Sequence, residues 1–150
     1  MAERLVLGIG NPDRGDDAVG RLVARSLRAH APAGVRISEQ SGEAMALVAE
    51  LQSVQCAWLV DAAQSGARPG TIHRIDCSAE DVALPAGTVS SHGFGVAEAV
   101  GLARALGMLP RQCVVYAIEA ADFSAGAALT PEVTAAAGEV TRRILEELHA

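Results

Sequence analysis

The chain alternates between short unbroken apolar runs and stretches in which apolar residues recur every three or four positions. Leu5-Val6-Leu7-Gly8-Ile9 is a run of the first kind, as a strand buried on both faces requires. From Asp16 to Arg28, Val19, Leu22, Val23, Ser26 and Leu27 fall on one helical face, which predicts a first β-α unit. A second unit follows. Val35-Arg36-Ile37-Ser38 alternates like a strand at or near an edge, and Glu43 to Leu51 repeats Ala44, Leu47, Val48 and Leu51 at helical spacing. Cys56 to Val60 reads as a third buried strand. The Gly-, Ser- and Pro-rich stretch 62–70 then leads quickly into a short strand, Thr71 to Ile75, which predicts an antiparallel addition. Asp76 to Ser90 reads as loop, Gly93 to Leu106 as a helix with Val96, Ala99, Val100 and Ala103 inward, and Cys113 to Ile118 as a fifth strand. Thr130-Pro131-Glu132 opens the last helix with a capping residue followed by Pro at its first position. Strands alternating with helices predict an α/β sandwich around a mostly parallel sheet, a single domain over residues 1–150.

Composition narrows the function. A chain of 150 residues, 50% hydrophobic, can bury roughly 70% of its extended surface and needs no disulfide or structural zinc to hold a core. Its 12 basic residues, all Arg, against 18 acidic ones give a net charge of −6, which disfavours a nucleic-acid surface. Cys56, Cys77 and Cys113 are odd in number and widely spaced, so neither a disulfide framework nor a zinc knuckle is indicated, and reduced cytosolic thiols are expected. The amino terminus reads as a first strand without a signal-peptide cleavage site, and no apolar run approaches the roughly 20 residues of a membrane helix. These features predict a cytoplasmic protein. Phe94, Phe123, Trp58 and Tyr116 are the only aromatics, too few for a large permanent interface, so a monomer is expected.

Ligands of open α/β sheets bind outside the carboxyl ends of the parallel strands, and there the sequence is acidic. The first strand is followed by Asn11, Asp13, Asp16 and Asp17, the second by Glu39, the third by Asp61 and the fifth by Glu119. The segment Ser90-Ser91-His92-Gly93 adds a nitrogen donor before a helix. Each residue has a plainer explanation when taken singly. An Asp at a helix start caps free N–H groups, a role assigned here to Asp16, while Asp61 could be a turn residue and His92 a helix-start histidine. Their coincidence at one edge points to a divalent-metal site with positions left open for substrate or water. Other chemistries fit less well. Gly8-Ile9-Gly10 lacks the third glycine of a dinucleotide fingerprint, an EF-hand loop fails because Asp16 stands where its glycine belongs, and no G-x-S-x-G elbow or base-paired cysteine is present.

Leu7-Gly8-Ile9-Gly10-Asn11, then Gly15-Asp16-Asp17-Ala18-Val19-Gly20, Val60-Asp61-Ala62, Ser91-His92-Gly93, and Gly126 with Leu129-Thr130-Pro131-Glu132-Val133 together resemble the [NiFe]-hydrogenase maturation endopeptidases over nearly the whole chain. The resemblance implies a three-layer α/β/α sandwich around a five-stranded mixed sheet whose fourth strand is antiparallel at an edge. It also implies an endopeptidase that removes the C-terminal extension of the hydrogenase large-subunit precursor after nickel insertion, with nickel as the recognition signal. The family's metal-binding acid, aspartate and histidine map to Asp17, Asp61 and His92, and the nickel would arrive with the substrate. One departure is Glu39-Gln40-Ser41-Gly42-Glu43, where many relatives carry an acidic, glycine-rich segment; it leaves the role of Glu39 open, as that of Glu119 is. Two carboxylates and one imidazole bind a borderline ion moderately, whereas nickel already held by thiolates could complete its shell with them. Two other readings are a nickel-binding or hydrogenase-assembly factor that grips the precursor without cutting it, and a peptidyl-tRNA hydrolase-like enzyme. Against the second stand the missing Thr-Arg-His-Asn stretch and the acidic net charge.

Overall fold

A computed structural model describes residues 3–78 and 95–150. Within them a five-stranded sheet runs in the order β2-β1-β3-β5-β4, built from β1 (Arg4–Ile9), β2 (Val35–Gln40), β3 (Cys56–Ala63), β4 (Ile72–Asp76) and β5 (Gln112–Glu119). The first, second, third and fifth strands pair in parallel, and β4 lies antiparallel to β5 at one edge, as expected. The helices are α1 (Val19–Arg28), α2 (Ala44–Leu51), α3 (Val96–Ala105) and α4 (Pro131–His149), with a 3-10 turn, Gly15–Ala18, leading into α1.

Alternation along the strands sorts their side chains into two cores. Leu5, Leu7, Ile9, Leu59 and Val115 face α2 and α3, where Leu47, Leu51, Ala99, Val100 and Ala103 are buried. Val6, Val60, Tyr116 and Ile118 face α1 and α4, against Val19, Val23, Leu27, Val133, Val140 and Ile144. The result is the α/β/α sandwich predicted. No helix among the described residues is long and apolar enough to cross a membrane.

Several expectations need correction. The face of α1 against the sheet is Val19, Gly20, Val23, Ala24 and Leu27; Ser26 is exposed and donates its hydroxyl hydrogen to the Leu22 carbonyl, and Leu22 is half-buried. Small residues govern that rotation, because a methyl group added at Gly20 would lie 2.2 Å from the Val60 carbonyl oxygen and 2.5 Å from that of Ile9. The third strand runs to Ala63, so Asp61 lies inside it rather than after it, and Glu39 and Glu119 likewise belong to β2 and β5. Thr130 precedes α4 in extended conformation, but its hydroxyl does not cap that helix; it bonds the Asp16 carboxylate.

Candidate active site at the carboxyl edge of the sheet

The turn after β1 is built around Gly10, which has φ +148°; a side chain there would collide with the Asp17 carbonyl oxygen at 1.9 Å. Asn11 closes the turn, its side-chain oxygen accepting the Asp13 N–H at 2.9 Å, and its own N–H donates to Asp17 Oδ2 at 2.9 Å. Arg21 of α1 donates from Nε to the Gly10 carbonyl at 2.6 Å. The loop therefore fixes Asp17, fully buried, at the end of β1.

Asp61 comes to the same edge from β3 and is 4% exposed. Its carboxylate accepts the N–H of Ala62 at 2.8 Å. Burial pushes the Asp61 carboxyl far above the usual carboxylate range, the negative charge of Asp17 adds to that rise, and the Ala62 N–H only partly opposes it. The structure thus brings Asp17 and Asp61 within electrostatic reach of one another. A pair of buried carboxylates that repel each other is a donor set suited to a divalent cation, whose charge would reverse the penalty. His92, the third expected ligand, lies outside the described residues. Among the described residues no group of three His, Cys, Asp or Glu side chains is placed to hold a metal ion.

Asp16 does not cap its own helix. Its buried carboxylate accepts from the backbone N–H groups of Ala121, at 2.8 Å, Asp122, at 3.0 Å, and Thr130, at 2.7 Å, and from the Thr130 hydroxyl. In return the Asp16 N–H donates to the Asp122 carbonyl at 2.8 Å. Asp16 therefore fastens the segment between β5 and α4 onto the turn that holds Asp17.

Glu39 and Glu119 are both tied up as anions. Glu39 pairs with Arg28 at 2.6 Å, Arg25 at 3.1 Å and Arg21 at 3.7 Å. Burial would raise its pKa, but Arg28 and Arg25 outweigh burial and hold it below the usual range. Glu119 accepts from the N–H and hydroxyl of Ser65 and bonds His73 Nε2 at 3.0 Å. Burial is again overcome, here by Ser65 and His73, and its pKa is lowered. Neither carboxylate is poised to accept a proton at neutral pH. The Ser65-His73-Glu119 cluster was not foreseen from the sequence. His73 is in register with Ala117, and Ala117 with Asp61, so all three share one face of the sheet. Only the β4 register reveals this.

In this sandwich, with buried acids at the carboxyl ends of its parallel strands, residues 21–147 match the family described as hydrogenase maturation protease. The chain belongs to that family. It is 28% identical over 121 residues to the hydrogenase expression/formation protein HupM of Azotobacter chroococcum mcd 1, covering 79% of this chain and 58% of that protein. To HoxM of Azotobacter vinelandii it is 30% identical over 149 residues, covering 96% and 71%. The chain spans about three fifths of the length of the first curated relatives it matches. The fold matches that of the hydrogenase maturating endopeptidase HybD from E. coli with a TM-score of 0.83 and 26% identity, covering 98% of this chain and 92% of that one.

Proposed function

We propose that this protein is the endopeptidase that removes the C-terminal extension of a [NiFe]-hydrogenase large-subunit precursor once nickel is in place, recognising the nickel centre itself. The observation that carries the reading is the buried pair Asp17 and Asp61 at the carboxyl edge, in a chain of the maturation protease family. Asp17, Asp61 and His92 would hold the ion, which arrives with the precursor and supplies Lewis acidity toward the scissile peptide bond. The chain's own residues prepare that encounter. The Asn11 N–H orients the Asp17 carboxylate, and the Ala62 N–H orients that of Asp61. Burial keeps bulk water from screening the pair, so a cation docking there meets its full field. The enzyme works as a cytoplasmic monomer that meets its precursor transiently.

Incubating the protein with nickel-loaded precursor and weighing both by mass spectrometry tests this reading. The precursor is expected to lose a C-terminal peptide with wild-type protein and to remain whole with Asp17→Asn or His92→Ala. A precursor that binds the wild-type protein yet keeps its full mass would make it an assembly factor instead.

A further inference from the structure

We propose that Cys77 and Cys113 form an oxidant-responsive dithiol that closes into an intramolecular cross-strand disulfide. Cys77, the residue after β4, lies opposite Cys113 of β5: the antiparallel register pairs Asp76 with Val114, and one step further Cys77 meets Cys113, its N–H donating to the Cys113 carbonyl at 2.7 Å. Facing residues of an antiparallel pair hold their Cα atoms about 4.5–5.5 Å apart, inside the span of about 4.4–6.8 Å that a disulfide bridges. Both thiols are buried in the core that faces α2 and α3, and the Cys77 thiol donates to the Ile75 carbonyl at 3.9 Å. The ladder also stops being regular at this point. The Cys113 N–H turns to the Ser78 hydroxyl at 2.9 Å, and the Cys77 carbonyl accepts from Arg104 Nη2 at 2.8 Å.

The two sulfurs are unequal. The neighbouring Cys113 and the positive charge of Arg104 hold the Cys77 thiol below its usual value, outweighing its burial. The same interaction, with burial, pushes Cys113 up. With Arg104 bound to its carbonyl, Cys77 is the attacking sulfur and Cys113 the resolving one. Both are buried, but Asp76 and Ser78, on either side of Cys77, are exposed, so a small peroxide has the shorter path to Cys77. The Cys77 thiolate attacks one oxygen of hydrogen peroxide, giving a sulfenic acid and, after proton uptake, water. The Cys113 thiol then displaces that hydroxyl as a second water. Two thiols are oxidised, one peroxide is reduced to two waters, and a thiol reductant reverses the bond. Since His92 falls between positions 77 and 113 in the chain, the bond would enclose it in a covalent loop.

The test treats the reduced full-length protein with hydrogen peroxide under native conditions, then counts thiols after denaturation and maps tryptic peptides without reduction. Two of the three thiols are expected to disappear with the chain still monomeric. Peptide 75–104 should be joined to peptide 112–142 at a mass about 2 Da below their sum, and dithiothreitol should release them. Cys56, in peptide 37–74, should remain free. Cys77→Ser should abolish the link, and so should Cys113→Ala; if the latter, wholly buried, does not fold, the Cys77 variant carries the result. Three surviving thiols, oxygen adducts on a single cysteine, or a link through Cys56 would each overturn the proposal.

Discussion

Asp16 and Asp17 are adjacent, identical in type and both fully buried, yet their carboxylates point at different partners. Asp16→Ala would leave three backbone N–H groups, those of Ala121, Asp122 and Thr130, without their acceptor. The expected cost is about 3 kcal/mol or more, which corresponds to a fall in melting temperature on the order of 10 °C. Asp17→Asn is expected to do the reverse, melting at or above the wild-type temperature because it removes the charge that repels Asp61, while abolishing precursor cleavage. Thermal unfolding and cleavage measured on both variants separate the two roles; a large loss of stability in Asp17→Asn would make its carboxylate structural. Sequence reasoning placed both acids at the right edge and made one of them structural. It gave Asp16 a local cap, since an Asp at a helix start is read against its own helix. A partner more than a hundred residues away leaves no local periodic signal.

The elements themselves were legible because each has a strong period: the continuous runs of β1, β3 and β5, and the inward Val96, Ala99, Val100 and Ala103 of α3, are where they were expected. Their ends were less legible. Asp61 looks like the residue that stops a strand, because a carboxylate is costly inside one, and only the site explains why β3 carries it. The seating of α1 depended on Gly20, whose absent side chain has no hydropathy to read. Gly20→Ala is expected to lose more than about 4 kcal/mol, since the new methyl meets backbone that has no room to move; a melting curve close to wild type would mean that α1 can lift off the sheet at little cost. The junction of β3, β4 and β5 depends on Glu119, held below the usual carboxylate range by Ser65 and His73 against the effect of burial. Its stabilisation is therefore present above the ordinary glutamate value, about 4.3, and is lost as pH falls through the lower folded value. Glu119→Gln should be less stable than wild type at pH about 7, by about 1–3 kcal/mol, and the gap should narrow as pH falls below about 4.3. A gap independent of pH would mean that the charge on Glu119 does not matter.

At the scale of the whole molecule, the donor set proposed for the site contains no thiolate, and its two carboxylates come from separate elements, so the protein alone should hold metal weakly. Elemental analysis after dialysis is expected to find zinc and nickel well below one equivalent; a stoichiometric ion would instead mark a peptidase with its own resident metal. The contact between Asp16 and the segment 121–130 bears on how such a molecule comes into being on the ribosome. Synthesis runs from the amino end, so the turn bearing Asp17 emerges long before the residues that fasten it. Until Thr130 has left the exit tunnel, the Asp16 carboxylate lacks the donors of Ala121, Asp122 and Thr130 that join it to the far segment. The turn that carries Asp17 is thus fastened only after the segment 121–130 has been made.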